Sequence, residues 1–233
     1  MIIRRSLEAI ASAVYLRFAA THRILHRLRK CSSGVTLIEF ALILPILVVT
    51  MLMGTELAYY ASVRLQVNQI AVSLADNASR LGQTDNAAVA PSLTEGQVDA
   101  VMFGAMEQGT SIDLQQNGRV ILSSLERDPG TGRQWFHWQR CRGDLTEASA
   151  YGPEGYGKNS GTLAGVGKAG TPLQATGNSS VMVAEVYYQY QPLFSLAFVD
   201  APAFREEAVF QIRDDRDLGP GISSGTSNSL CNS

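Results

Sequence analysis

The hydrophobic pattern of the chain predicts two consecutive helical segments. Residues 35–55 are apolar except for one ionisable side chain, Glu39, and are long enough to span a hydrocarbon core as a helix. Residues 56–81 place apolar side chains at three- or four-residue steps, which is typical of an amphipathic helix. These apolar positions are Leu57, Tyr60, Val63, Val67, Ile70, Leu74, Ala78 and Leu81. We therefore expect one long helix, a transmembrane segment continued by a stalk, with Pro45 and Gly54 as the points where it could bend.

The pattern changes in residues 82–217, where shorter elements are predicted. Ser92 and Thr94 each begin a capping box in front of a short amphipathic helix. Asn117-Gly118 lies between two alternating segments and predicts a β-hairpin turn. Further segments rich in β-branched and aromatic residues predict strands at 133–141, in SVMVAEVYYQYQPL and in FREEAVFQIR.

Two stretches lack a strand or helix pattern. Residues 142–178 contain nine glycines and predict a long loop, and residues 218–233 predict a flexible Gly/Ser tail that Cys231 ties back to the strand at 138–141. The expected fold class is therefore α+β. It combines a long N-terminal hydrophobic helix, continuing as an amphipathic stalk, with a small antiparallel sheet of four or five strands packed on it.

Charge is distributed unevenly along the chain. Residues 1–34 carry seven basic side chains against one Glu, a net charge of +6, so the remaining residues carry −8 of the overall −2. A basic segment directly before an apolar span stays on the cytoplasmic side of a membrane. Apolar residues alternate with the basic ones, which favours a membrane-surface leader over a nucleic-acid patch. We expect a cytoplasmic leader, an external domain and no nucleic-acid partner.

The three cysteines follow the same division. Cys31 lies in the leader, whereas Cys141 and Cys231 lie in the part expected outside, where oxidation is permitted. These two cysteines can form one intramolecular disulfide or remain as two free thiols. We expect the disulfide, which would close a loop of about 90 residues and stabilise the fold by roughly 4–5 kcal/mol in the chain-entropy model.

Glu39 requires an explanation, because a carboxylate within a span costs on the order of 2–3 kcal/mol and usually has a partner or a role. The basic leader, Gly34 and the following VTLIE resemble the class III signal of type IV pilins and pseudopilins. The segment GVTLIEFALILPILVVTMLMGTELAYYASVRLQVNQIAVSLADNASR resembles the TadE-like minor pilins of the tight adherence, or Flp, pilus, with Phe40, Pro45 and a second glutamate, Glu56. The major Flp pilins are much shorter and carry tyrosine after the glutamate, so the differences indicate a minor subunit.

The resemblance implies a subunit of the bacterial inner membrane that catalyses no reaction and needs no cofactor or small-molecule substrate. A prepilin peptidase would cut after Gly34, and the new amine of Val35 would pair with Glu39 of the same or a neighbouring subunit. The other implied partners are the major Flp pilin, further minor pilins and the inner-membrane assembly platform, and the C-terminal domain would be periplasmic. The alternatives are an uncleaved, single-pass adhesion or binding domain, a type II secretion pseudopilin, and a TadF- or TadG-like relative.

Residues with catalytic or ligand-binding potential form no pattern that supports a reaction. His137 is the single histidine beyond the leader and is expected as an ordinary sheet residue. The GxGxxG pattern at residues 165–170 neither follows a strand nor opens a helix. The tripeptide at residues 142–144 (RGD) is expected to be a chance match to a receptor-binding sequence, and Asp214, Asp215 and Asp217 lack the spacing of a calcium loop. No metal site is therefore expected.

Overall fold

The architecture comes from a computed structural model that describes residues 33–82, 90–158, 161–167, 171–177, 179–194, 202–213, 216–226 and 229–231. In chain order the elements are helix α1 (Ser33–Ser79), strand β1 (Leu93–Thr94), helix α2 (Glu95–Gln108), a 3-10 turn (Thr110–Ile112), helix α3 (Leu114–Asn117), and strands β2 (Gly118–Arg127), β3 (Gln134–Arg142), β4 (Val181–Gln189), β5 (Ala203–Gln211) and β6 (Ile222–Ser224). The chain divides into two compact units, one up to Thr55 and one from Glu56 onward. The content is mixed, which confirms the expected α+β class.

The second half of α1 is the amphipathic stalk and belongs to the second unit. Its fully buried large apolar positions are Val63, Val67, Ile70 and Leu74. They recur at three- or four-residue steps, so a single face of the helix enters the core. Leu57 was predicted on this face and is instead 68% exposed, whereas its neighbour Glu56 is 7% exposed. The prediction is wrong at this turn because the Glu56 carboxylate finds hydrogen-bond donors beyond the end of β4.

Helix α2 begins at the second of the two predicted capping boxes. The Gln97 backbone N–H donates to Thr94 Oγ1 at 3.3 Å, and the Thr94 backbone N–H donates to Gln97 Oε1 at 3.0 Å. These two bonds satisfy N–H groups that the first helical turn cannot pair. The helix then buries one apolar side: Val98, Met102, Ala105 and Met106.

The predicted hairpin at Asn117-Gly118 is wrong, because the residues before Gly118 are helical. The 3-10 turn and α3 precede β2, and Asp113 between them has a left-handed backbone with φ of 50°, a conformation that Asp tolerates better than most residues. The Leu114 N–H donates to the Gly109 carbonyl at 3.1 Å, and the Leu114 side chain is fully buried. Two short helical turns therefore carry this apolar residue into the core where an extended strand was expected.

The main sheet of the described chain has four antiparallel strands in the order β3-β2-β4-β5. Its two central strands, β2 and β4, are buried at nearly every position because both faces of the sheet are covered. One face shares a core with α1 and α2 through Val120, Leu122, Met182, Ala184 and Val186. The other face packs against the connection between β3 and β4 through Leu125, Phe136, Val181 and Val183. The described part of that connection forms no strand, only isolated bridges, as predicted.

The C-terminal segment is tied to the domain at several points. Strand β6 pairs in parallel with β1, Leu230 forms an isolated bridge with Arg140 of β3, and Cys231 forms a disulfide with Cys141. The expected disulfide and the expected tie to β3 are therefore present. The prediction that residues 218–233 lack regular structure is wrong for β6, because its pairing partner lies about 130 residues earlier and leaves no local pattern.

Candidate functional site

The first half of α1 presents apolar side chains on all of its sides. Between residues 34 and 55, thirteen large apolar side chains are 41–70% exposed. Removing one such side chain from water is worth roughly 1.5–3 kcal/mol, so a helix with all of them in water would be strongly disfavoured. Within the described residues this is the one helix that is long and apolar enough to cross a membrane. The segment fits a single membrane anchor.

Glu39 is the one charged side chain of this apolar segment. It is exposed and makes no hydrogen bond or ion pair with a residue that the structure describes. Val35 lies four residues earlier, about one helical turn away on the same face. Around Gly34, no described atom outside its own helical turn and its two chain neighbours lies within 4 Å of the place where a Cβ would stand. The geometry allows Glu39 to pair with a cation at position 35 of its own chain or with one from another chain.

The other polar groups of the segment are largely satisfied within the helix. Thr50 and Thr55 donate their hydroxyl groups to the carbonyl oxygens four residues earlier, at 2.8 and 2.9 Å. Pro45 lies inside the helix and has no N–H, so the Ala41 carbonyl loses its usual helical donor. Phe40 is 62% exposed and contributes to the apolar surface. Glu39 is thus the only side chain of the segment that needs a polar partner from outside its own turn of helix.

The second glutamate, Glu56, is buried and bonded. The Tyr190 hydroxyl donates to Glu56 Oε1 at 2.5 Å, and the Phe194 backbone N–H donates to Glu56 Oε2 at 3.0 Å. Tyr190 is 1% exposed, and its burial together with the bond to Glu56 raises the pKa of its phenol well above the ordinary value. Its ring lies 5.9 Å from that of Tyr59 and 5.1 Å, edge to face, from that of Tyr60. Glu56 therefore fixes the chain after β4 to the first turn of the stalk.

The disulfide lies beside a second set of contacts that fix the C-terminal segment to β3. The Cys141 backbone N–H donates to the Ser229 carbonyl at 2.6 Å, two residues before Cys231. The Arg142 Nε–H donates to Ser229 Oγ at 2.9 Å, and Arg142 also lies 3.6 Å from Asp99 of α2. The arginine of the RGD tripeptide is thus engaged within the domain. This group of contacts is structural in character.

The remaining candidates for chemistry also have structural surroundings. His137 Nδ1 lies 2.7 Å from Glu126 Oε2 on the neighbouring strand, and its ring lies 4.5 Å from that of Trp135, so it is a packed sheet residue as predicted. Among the described residues no group of three or more His, Cys, Asp or Glu side chains could hold a metal ion. Asp214 and Asp215, like the last three residues of the GxGxxG pattern, lie outside the described residues.

The sequence did not predict the structural roles of two buried arginines, Arg140 and Arg216. Arg140 donates from Nε to Glu95 Oε2 at 3.0 Å, which joins β3 to the first turn of α2. Arg216 is 8% exposed and donates to the carbonyl oxygens of Ala78 and Leu81 at 3.1 and 2.6 Å, where the negative end of the α1 dipole lies. Burial lowers the pKa of Arg216 to about 10. No local signal predicted this role, because Arg216 lies in an acidic run that resembles a solvated strand end.

The described chain combines an exposed apolar helix segment, with one carboxylate near its start and the length and composition of a single membrane anchor, with a stalk on a small sheet domain. Residues 34–75 match the family described as TadE-like protein, and the matched segment contains both Glu39 and Glu56. That family implies a pilin-like protein associated with the tight adherence pilus, and its members are structural proteins without enzymatic activity. No curated protein and no solved structure matches the chain.

Proposed function

We propose that this chain is a minor pilin, or pseudopilin, that is needed to assemble a tight adherence pilus. Its basic leader, residues 1–34, stays in the cytoplasm, a prepilin peptidase cuts after Gly34, and residues 35–55 hold the product in the inner membrane. The domain is periplasmic until the subunit joins or primes the pilus. The observation that carries the proposal is Glu39, a lone carboxylate five positions after a glycine within an exposed apolar helix that matches the TadE-like family.

Glu39 supports this function because an unpaired charge in an apolar environment is strongly disfavoured. Cleavage after Gly34 would create an ammonium group at Val35, four residues before the carboxylate. Pairing between neighbouring subunits would also favour one axial register of their helices, since any other register would leave both charges without a partner. Contacts with the major pilin, other minor pilins and the assembly platform would then form along the exposed apolar surface of α1.

The surroundings of Gly34 make cleavage testable without damage to the fold. A Cβ added there would meet no described atom within 4 Å beyond its own helical turn and chain neighbours. Gly34→Leu should therefore block the peptidase by its bulk while leaving the domain folded. Glu39→Gln keeps the shape of the Glu39 side chain and removes its charge, so it separates the effect of charge from the effect of size.

The experiment expresses the full chain in cells with an active or an inactivated prepilin peptidase. The membrane-extracted protein is analysed by N-terminal sequencing, and pili are quantified in a strain that lacks its own copy of the gene. We expect the active peptidase to give a Val35 start for the parent chain, Glu39→Ala and Glu39→Gln, and a Met1 start for Gly34→Leu. All three variants should lose most of their pili, whereas a matched surface control, Glu107→Ala, should keep them.

Each part of the proposal can fail separately in this experiment. A Met1 start for the parent chain in cells with active peptidase would refute processing and favour an uncleaved, membrane-anchored adhesion or binding domain. Normal piliation with both Gly34→Leu and Glu39→Ala would refute the role of the charge pair. Correct cleavage together with intact pili and a loss of protein secretion would favour a type II secretion pseudopilin.

A further inference from the structure

Four apolar and aromatic side chains lie within a few residues of Glu56 or of its hydrogen-bond partner Phe194, and we call them the collar: Leu57, Tyr59, Leu193 and Phe194. Leu57 is 68% exposed and Leu193 is 51% exposed. Tyr59 and Phe194 are half-buried. None of the four side chains is charged at neutral pH. Leu57 and Leu193 therefore leave apolar area open to a partner.

Hydrogen bonds to Glu56 hold the collar together. The Phe194 N–H donates to one carboxylate oxygen at 3.0 Å, and the Tyr190 hydroxyl donates to the other at 2.5 Å. The Tyr190 ring also lies 5.9 Å from that of Tyr59. The segment after β4 is thereby attached to the first turn of the stalk, so the chain next to Leu193 lies close to the turn that contains Leu57, although 136 positions separate the two leucines in the sequence.

The position of the collar along the chain indicates which partner it meets. Leu57 follows the last residue of the apolar segment 35–55 by two positions, and α1 continues through this junction without interruption. Tyrosines are enriched where a span meets water, because the ring enters the head-group region while the hydroxyl reaches a polar partner. Tyr59, a half-buried tyrosine of the collar, lies four residues after the end of that segment.

We propose that the collar binds the lipid head-group region of the membrane leaflet from which α1 emerges. The inference rests on the proposed function, because it takes residues 35–55 as the membrane span. The domain is then attached to the membrane at two places, through α1 and through the residues after β4. Glu56 acts as a positioning residue, since it accepts the Phe194 N–H bond and thereby keeps the segment that carries Leu193 and Phe194 beside the first turn of the stalk.

Two pairs of leucines allow a matched test in the full-length protein. Leu57 and Leu65 are 68% and 64% exposed on the stalk, separated by about two helical turns. Leu193 follows the end of β4, whereas Leu173, 39% exposed, lies in the connection that precedes β4. Because β4 has nine residues, its first and last residues are about 26 Å apart. Each leucine is replaced by Trp in a separate variant, and the emission of the parent protein is subtracted.

The variants are reconstituted into phosphatidylcholine vesicles whose acyl chains carry bromine near the head-group end. We expect most of the added emission to be quenched at positions 57 and 193, and little of it at positions 65 and 173. Quenching at 57 without quenching at 193 would overturn the collar proposal and leave the anchor intact. Absence of quenching at 57 would overturn the anchor, and with it the membrane part of the proposed function.

A second measurement needs no substitution. The parent protein is reconstituted with phosphatidylcholine that carries a photoreactive group near its head, irradiated and analysed by peptide mass spectrometry. We expect lipid adducts on the peptide that contains Leu193 and Phe194, and none on the peptide that contains Leu173. Equal labelling of the two peptides, or labelling of neither, would contradict the proposal.

Discussion

Replacement of Glu56 by Ala tests the attachment between the stalk and the segment after β4. The substitution removes both acceptor oxygens at once. It leaves the hydroxyl of Tyr190, a residue that is 1% exposed, without its partner, and it frees the backbone N–H of Phe194, which is half-buried and can reach water. The cost should therefore come mainly from the tyrosine.

The magnitude follows from the two bonds that are lost. A hydrogen bond to a charged acceptor contributes about 1.5–3 kcal/mol, and the exposed amide should recover part of its share from water. We expect Glu56→Ala to lower the free energy of unfolding by about 2–4 kcal/mol in total. For a domain of this size 1 kcal/mol corresponds to roughly 2–4 °C, so the melting temperature should fall by about 4–16 °C. Glu56→Gln keeps one acceptor for Tyr190 and should fall between Ala and the parent protein.

The assay is thermal unfolding of the full chain in detergent, followed by the fluorescence of Trp135 and Trp138, which lie on β3 and report on the sheet domain. The control is Glu107→Ala, an exposed position on α2 that should change the free energy by less than about 0.5 kcal/mol. A Glu56→Ala protein that melts with the Glu107→Ala control would refute the reasoning, because the two hydrogen bonds would then contribute nothing to stability.

Three further tests of the domain use the same melting assay. Cys141→Ser or Cys231→Ser should cost roughly 4–5 kcal/mol, as expected for a cross-link over a separation of 90 residues, and the double variant should cost no more than either single one. Burial raises the pKa of the Tyr188 phenol to about 12, so the stability that the phenol contributes is complete below pH 10 and is lost as the pH rises to about 12. Tyr188→Phe should remove this part of the loss of stability at alkaline pH. An unchanged pH profile would contradict the raised pKa of Tyr188. Gly157→Ala should lower the free energy of unfolding by about 1–3 kcal/mol, because φ is +95° and the added Cβ would meet the carbonyl oxygen of the first residue of β3. The control is Gly177→Ala, which has open space around it and should leave the stability unchanged.

The buried face of the stalk helix could be predicted from the sequence, because it depends on a local pattern that repeats along the chain. Val63, Val67 and Ile70 recur along one helical face, and the structure buries all three. The capping box at Thr94 and Gln97 is likewise local, and it begins α2 as expected. The disulfide could also be predicted, because only two cysteines lie in the part of the chain expected to be outside.

Features that depend on contacts between distant residues could not be predicted. The stalk buries Glu56 where Leu57 was expected, because Glu56 accepts a hydrogen bond from Tyr190. Tyr190 lies 134 positions away in the sequence, so no local pattern predicts this contact. The hairpin prediction failed because Asn-Gly is a strong local signal, yet burial of Leu114 against the sheet stabilised a helical turn instead. Among the candidate site residues, Glu39 stands out in the sequence because it is the one charge in an apolar segment, whereas the burial of Arg216 could not be predicted because its sequence neighbours are acidic.

The bond between Cys141 and Cys231 also sets an order of events for the proposed periplasmic domain. Cys231 lies on the C-terminal side of all four strands of the main sheet, so covalent closure can follow only after those strands have been synthesised and exported. Cys31, on the cytoplasmic side in the proposed topology, cannot compete for Cys141. A subunit whose translocation stops early would thus keep a reduced Cys141, and the oxidised pair would mark the chains that have finished crossing the membrane.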